Sequence, residues 1–230
     1  MCGRFTLRAT PEQIAALFDL ETVPPVQPRY NIAPTQPVLI VRENPHTGVR
    51  EATYVNWGLV PFWADDPKIG SRMINARAET AHEKPAFRAA FKYRRCLIPA
   101  DGFYEWQKQS RGGKKPYLIG LADQGLFAFA GLWEHWERDG SVIETCTILT
   151  TGPNELVAPL HNRMPVILDP QDYGEWLDHT LQKPDPLRHL LRPFPAERMI
   201  AAPVSTHVNS PANEDPRCVE PVGEVLRGRG

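Results

Sequence analysis

The sequence is poor in the features that build metal centres and disulfide-stapled folds. Its four cysteines lie at positions 2, 96, 146 and 218 and form no C-x-x-C pair. His82 and Glu83 match the start of the zinc-binding motif His-Glu-x-x-His, but no second histidine follows four residues after the first. We therefore predict that the protein uses no metal and no cofactor, and that it works in a reducing compartment, the cytoplasm.

Long apolar runs and an excess of one charge are also missing. No stretch approaches the roughly 18 apolar residues of a membrane span, and the first residues lack the charged and apolar regions of a signal peptide. The 26 basic and 27 acidic residues leave a net charge of −1, so a surface for nucleic acid would have to be a local patch. We expect a soluble protein without membrane contact, and nothing in the sequence requires more than a monomer.

Proline, in contrast, is abundant, with 24 residues spread along the chain, about twice the average usage. This favours many short elements joined by fixed loops. Apolar patterning predicts strands at 38–42, 51–58, 95–99, 102–107, 116–121, 126–132, 141–150 and 164–168, with a hairpin turn at 111–114. Helices are predicted at 11–18, capped by Thr10, and at 78–91, 153–156, 170–181 and 186–191.

The order of these elements indicates the fold class. Strands do not alternate regularly with long helices, so an α+β architecture with a largely antiparallel core is predicted in preference to a doubly wound parallel sheet. There is no internal repeat and no domain boundary, so 1–230 is expected to form a single domain. The loop-rich stretch 201–230 is expected to be only partly ordered, with a flexible tail over about 212–230.

The most informative residue is Cys2. Removal of Met1 would place a thiol and a free α-amine on one residue, and an α-amine has a pKa of about 7.7–8.0, so part of it is nucleophilic near neutrality. The amine can attack an aldehyde, and the thiol can then close a five-membered thiazolidine ring. The same cysteine could instead perform acyl transfer, or its position could be an accident of where translation starts.

Other polar or aromatic residues allow two interpretations each. Asn75 and Arg77 stand either at a helix entry or at a site, and Glu105 lies within an aromatic strand, either exposed or partly buried with a raised pKa suited to proton transfer. His161 is either structural or catalytic. Trp63 belongs either to the core or to an exposed platform on which a base can stack.

Several segments follow one another in the same order and with the same spacing as the motifs of one known family. They are 2–5 (CGRF), 29–34 (RYNIAP), 57–63 (WGLVPFW), 74–80 (INARAET), 95–106 (RCLIPADGFYEW), 160–165 (LHNRMP) and 203–205 (PVS), with Thr150 between them. The set resembles the SRAP family, the SOS response-associated peptidases, over nearly the whole chain. The resemblance implies an α+β fold: a single domain with a largely antiparallel, barrel-like β core and flanking short helices.

The resemblance also implies a function and a set of site residues. Family members bind single-stranded DNA and crosslink to abasic sites through a thiazolidine on the mature N-terminal cysteine, here Cys2, which shields the lesion in the DNA damage response. Asn75 would orient the amine or sugar, while Glu105 and His161 would transfer protons. The implied DNA-binding residues are Arg4, Trp63, Arg77, Thr150 and Arg163.

Further activities and two competing functions remain open. The peptidase of the family name would amount to removal of Met1, and Schiff-base chemistry would give a lyase-like activity. Class II glutamine amidotransferases also begin with Met-Cys-Gly, but the segments around Asn75, Glu105 and His161 do not resemble them. The other competitor is a non-catalytic reader of single-stranded or modified DNA. The chain lacks the long C-terminal extension of some eukaryotic relatives, so a bacterial cytoplasmic protein that meets the nucleoid through DNA is expected.

Overall fold

The computed structural model describes residues 2–229, and most of their regular structure consists of strands. In chain order these are β1 (Phe5–Leu7), β2 (Arg29–Ile32), β3 (Pro37–Glu43), β4 (Arg50–Trp57), β5 (Asn75–Arg77), β6 (Arg95–Ala100), β7 (Gly102–Lys108), β8 (Lys114–Leu121), β9 (Phe127–Arg138), β10 (Ser141–Thr151), β11 (Met164–Pro165), β12 (Ile167–Leu168), β13 (Met199–Pro203) and β14 (Leu226–Arg227). The helices are α1 (Pro11–Phe18), α2 (Arg88–Tyr93), α3 (Tyr173–Leu177) and α4 (Pro184–Leu187).

Five of the strands close into a barrel. The ring runs β10-β4-β3-β6-β9 and returns to β10, because β9 and β10 also pair along a long hairpin. Only the β10–β4 pairing of this ring is parallel. A closed ring leaves none of these five strands as a free edge. The α+β class and the barrel-like, largely antiparallel core expected from the sequence are thus confirmed.

A second sheet packs beside the barrel and carries the start of the chain. Its order is β14-β13-β8-β7-β1-β2, and every neighbouring pair is antiparallel. Phe5 of β1 lies opposite Phe103 of β7. This pairing brings the residues before β1 close to the strand that contains Glu105.

Aromatic packing joins the two sheets. The ring of Phe5, 1% exposed, meets Trp57 edge-on at 5.2 Å and Phe129 at 5.7 Å. Such edge-to-face contacts add to the stabilisation that burial provides. The first strand is therefore anchored in the barrel core only three residues after Cys2.

Helix α1 and all the predicted strands are present, but two helix predictions are wrong. Thr10 caps α1 in a reciprocal capping box with Gln13, as its sequence indicates. The predicted helix at 78–91 is helical only at 88–93, because Pro85 lacks an amide hydrogen and disfavours helical backbone at the residue before it. The predicted helix at 153–156 is replaced by turns, where the Asn154 side chain accepts from the Val157 amide at 3.0 Å.

The C-terminal part of the chain is shorter in helix and richer in contacts than the sequence suggests. The predictions at 170–181 and 186–191 correspond to short α3 and α4, each next to a 3₁₀ turn. In the stretch expected to form a flexible tail, β14 pairs with β13, and Glu214 accepts hydrogen bonds from the backbone of Asn31 and from the Arg29 side chain. These contacts attach the stretch to the second sheet. Among residues 2–229, no helix is long and apolar enough to cross a membrane.

Candidate active site

Cys2 lies in a fully buried position immediately before β1. The side-chain amide of Asn75 donates to its backbone carbonyl at 2.8 Å, and its Sγ lies 3.9 Å from the carbonyl oxygen of Arg4. That Arg4 carbonyl in turn accepts from the Tyr104 amide at 2.9 Å, which continues the β1–β7 pairing. Asn75 of β5 therefore holds the backbone of Cys2 itself, and β7 holds the chain two residues later, at Arg4.

Asn75 occupies this position because it belongs to a strand and not to a helix. It pairs with Ile148 in the parallel β5–β10 register, which directs its side chain toward the chain start. Its Oδ1 is buried and has no hydrogen-bond partner among residues 2–229. A buried acceptor without a donor costs about 1–3 kcal/mol, so this atom is an acceptor ready for a donor on a substrate or on a newly formed amine.

Glu105 is the carboxylate of the site. Its side chain is 2% exposed on β7, and burial raises its pKa from 4.5 to about 7, against the opposing positive charges of the amino terminus and Lys114. Burial, with the charge of Glu105 as the next cause, raises the pKa of the Cys2 thiol well above its usual range. The two groups are therefore close enough to interact electrostatically, and the thiol is held in its protonated form.

One ring nitrogen of His161 lies against the backbone of Arg163. Its Nδ1 is 3.1 Å from the Arg163 amide nitrogen and 3.2 Å from the carbonyl oxygen of the same residue. Burial lowers the pKa of His161, and the positive charge of the amino terminus lowers it further. The pKa values of His161 and Glu105 thus both respond to the same two positive charges, those of the amino terminus and Lys114.

The predicted phosphate-binding residue Arg163 is already paired. Its guanidinium forms a bidentate ion pair with Glu79 at 2.7 and 2.8 Å and also donates to the backbone carbonyl of Thr150. That carbonyl also accepts from the Ala78 amide at 2.9 Å. The Thr150 carbonyl therefore joins the end of β10 both to Ala78, which follows β5, and to Arg163. No local pattern marks Glu79 as this partner, although it stands in the same segment as Asn75.

The other predicted DNA-binding residues differ in whether their side chains already form hydrogen bonds within the protein. Arg77 is exposed at the end of β5, and its guanidinium forms no hydrogen bond or ion pair within residues 2–229. Trp63 is 49% exposed and Phe62 beside it 56%, with the Trp63 indole N–H 3.3 Å from the Pro85 carbonyl. Arg4 donates to Asn31 and to backbone carbonyls of the 206–209 turn, so its hydrogen bonds stay within the protein.

One cluster of metal-ligating side chains occurs in the described part of the chain. The ligand atoms of His207, Asp215 and Cys218 lie within 4.8 Å of one another. However, Nε2 of His207 is 3.0 Å from Asp215, and Arg217 forms a two-point ion pair with the same carboxylate. The cluster is therefore satisfied by its own hydrogen bonds, which tie together the turns of the C-terminal stretch.

A cavity of about 690 Å³ lies on another face, lined by residues that include Arg42, Tyr93 and Trp133. It contains none of the predicted site residues. Its arginines are engaged: Arg42 pairs with Glu51 and Glu144 at 2.9 Å. A concave pocket is the usual first candidate for a site, but Cys2, Asn75 and Glu105 all lie outside this one.

Comparison with known proteins agrees with the expected family. The abasic site processing protein YoqW of Bacillus subtilis (strain 168) is 46% identical over 96% of this chain and 99% of its own length. The abasic site processing protein HMCES of Gallus gallus is 35% identical over 85% of this chain and 67% of its own. A crystal structure of a Bacteroides thetaiotaomicron protein superposes with a TM-score of 0.86 at 30% identity, over 96% of this chain and 100% of that one. Residues 1–211 match the family described as SOS response associated peptidase, and this chain is a member of that SRAP family.

Proposed function

We propose that this chain captures abasic sites in single-stranded DNA by forming a thiazolidine between Cys2 and the ring-opened sugar. The observation that carries the proposal is the position of Cys2, hydrogen-bonded to Asn75 and within electrostatic reach of a buried Glu105 with a pKa near neutrality. Relatives that bear the name abasic site processing protein, among them YoqW at 46% identity, support the lesion as the substrate.

The first step uses the α-amine of Cys2. Removal of Met1, which lies outside the described residues, would expose this amine, and we include that removal in the proposal as the family's peptidase activity. The amine attacks the aldehyde carbon, and transfer of a proton from nitrogen to oxygen gives a carbinolamine. With a pKa of about 7, Glu105 is protonated in a large fraction of molecules at neutral pH, so it can give its proton to the departing hydroxyl. Water leaves, and an iminium remains.

The second step uses the thiol. Because the Cys2 thiol is held protonated, the amine and not a thiolate is the first nucleophile. The sulfur then attacks the iminium carbon, the electron pair of the C=N bond returns to nitrogen, and the thiol proton passes to the ionised Glu105. The carboxyl thus donates one proton and receives one, and the ring closes with the net loss of one water.

His161 is assigned as the second proton carrier of the site. Its lowered pKa keeps the ring neutral near pH 7. A neutral imidazole can both give and take a proton during opening of the sugar ring. Asn75 completes the site, since its unpartnered Oδ1 can accept from the amine or from a sugar hydroxyl.

DNA contact is assigned first to the exposed residues. Arg77 is available for a phosphate, and Trp63 offers a face on which a base can stack. Both contacts suit a single strand, because stacking on a side chain requires an unpaired base. Arg4 and Arg163 are proposed to line the same surface, with most of their hydrogen bonds directed into the protein. Thr150 is 1% exposed, so its proposed part is indirect, through the carbonyl that accepts from Arg163.

The test is incubation of the mature protein with a single-stranded oligonucleotide that carries one abasic site, followed by a denaturing gel. Wild type should give a retarded band that is absent with an intact oligonucleotide, and Cys2→Ala should give none. Cys218→Ala removes another buried cysteine and is the matched control that should keep the band. A band that persists in Cys2→Ala would reject capture at this residue. No band from wild type shown by mass spectrometry to have lost Met1 would do the same and make glutamine hydrolysis the next assay.

A further inference from the structure

The turn between β7 and β8 carries a concentration of positive charge that the site does not use. Four cations lie within eight residues, and no acidic residue occurs between 106 and 122. We call this set, Lys108, Arg111, Lys114 and Lys115, the basic hairpin tip. All four are exposed, and none forms an ion pair within residues 2–229. In a chain with a net charge of −1, this is a local and unneutralised patch.

The cross-strand pairing within the tip lowers the stability of the hairpin in a way that neutral residues would avoid. Lys108 and Lys114 lie directly opposite each other in the antiparallel register. Like charges in directly opposed cross-strand positions are destabilising. Glycines at 112 and 113, where an added Cβ would meet nothing within 4 Å, leave the turn open to solvent. The tip is therefore arranged to present charge outward, which favours an anionic ligand as its partner.

The hairpin connects this charge to the site. The same strand β7 carries Glu105, and Lys108 follows three residues later, about 10 Å along the strand. Gln107 donates to the carbonyl of Pro159 at 3.2 Å, which fastens the hairpin to the loop that leads to His161. The charge of Lys114 lowers the pKa of both Glu105 and His161. The tip thus stands at one border of the Cys2 site, within electrostatic reach of both proton-transfer groups.

We propose that the basic hairpin tip binds the phosphate backbone of the DNA strand on one side of the lesion, beyond the nucleotide that reacts with Cys2. The inference rests on the proposed function, because it takes single-stranded DNA as the ligand. Phosphate contacts of this kind set the register of the strand without reading its sequence. The tip belongs to a different element from Arg77, so the two would hold the strand at separate points.

The experiment measures how DNA affinity depends on salt. Each phosphate contact to a single strand contributes about −0.7 to the slope of log K against log salt. The double variant Lys108→Gln/Lys114→Gln should therefore reduce the magnitude of the slope by about 1.4. The matched control is Lys92→Gln/Lys183→Gln, which removes two exposed cations outside the hairpin. The ligand is a labelled oligonucleotide with a stable abasic analogue, extended on both sides of the lesion or on one side only.

The reduced slope should be seen with the doubly extended strand and with only one of the two singly extended strands. An unchanged slope, or an equal change in the control pair, would overturn the hairpin inference. Covalent capture of a reactive abasic oligonucleotide by wild type is measured in parallel. If wild type captures the lesion and the slope does not change, only the inference about the hairpin fails. If wild type neither binds nor captures, the proposed function fails and takes this inference with it.

Discussion

Replacing Glu105 by glutamine should remove a pH-dependent loss of stability from the folded protein. Burial raises the pKa of this carboxyl from 4.5 to about 7. Below about pH 4.5 the folded and unfolded chains both carry the proton. Between about 4.5 and 7 the unfolded chain releases its proton while the folded protein keeps it, so the free energy of unfolding falls as the pH rises. Glutamine has nearly the same shape and does not titrate, so the variant should lack this fall.

The size of the effect follows from the change in pKa. A rise from 4.5 to about 7 corresponds to roughly 3 kcal/mol at about 1.4 kcal/mol for each pH unit. The side chain is 2% exposed, so solvent screening does not diminish this figure much. Between pH 4.5 and 8, Glu105→Gln should therefore gain roughly 3 kcal/mol in free energy of unfolding relative to wild type.

The assay is urea unfolding, followed by tryptophan fluorescence, of wild type and variant across this pH range. Glu155→Gln, which changes an exposed glutamate without a hydrogen bond or ion pair in residues 2–229, is the control and should follow wild type. A difference between wild type and Glu105→Gln that stays constant from pH 4.5 to 8 would refute the reasoning. Glu105 would then ionise as an ordinary glutamate and could not supply a proton at pH 7. Crosslinking by Glu105→Gln should also slow by about 100-fold or more.

Two further predictions concern packing and the hydrogen bond at the nucleophile. An added methyl in Gly131→Ala would meet side-chain atoms of the barrel at 2.8 and 2.9 Å, so urea unfolding should show a loss of about 1–3 kcal/mol in free energy of unfolding. The control Gly174→Ala, with nothing within 4 Å of the added methyl, should be neutral or stabilising. Equal stabilities of the two variants would contradict the expectation. Asn75→Ala leaves the buried Cys2 carbonyl without its 2.8 Å donor but also deletes the unpartnered Oδ1, so its two effects on stability oppose each other and the readout is crosslinking. Crosslinking should slow, and an unchanged rate would remove Asn75 from the site.

The sequence alone determined the features that depend on neighbouring residues. Helix α1 begins where Thr10 and Gln13 form a capping box, because the caps and the apolar face lie within one short segment. The main strands follow their apolar patterning for the same reason. Cys2 could be identified as reactive from its position in the chain, since its chemistry belongs to a single residue that carries both an amine and a thiol.

Tertiary structure decided whatever depends on residues far apart in the chain. The sequence around Asn75 allows a helix entry, yet Asn75 forms a strand with β10 and reaches Cys2 across 73 positions. The bidentate pairing of Arg163 with Glu79 also joins residues far apart in the chain. For Glu105 the sequence allows an exposed or a buried carboxylate, and only the fold selects the buried one with its raised pKa, because desolvation is a property of the folded chain. The physical reason is that local propensity is weak beside the pairing and burial that close the barrel.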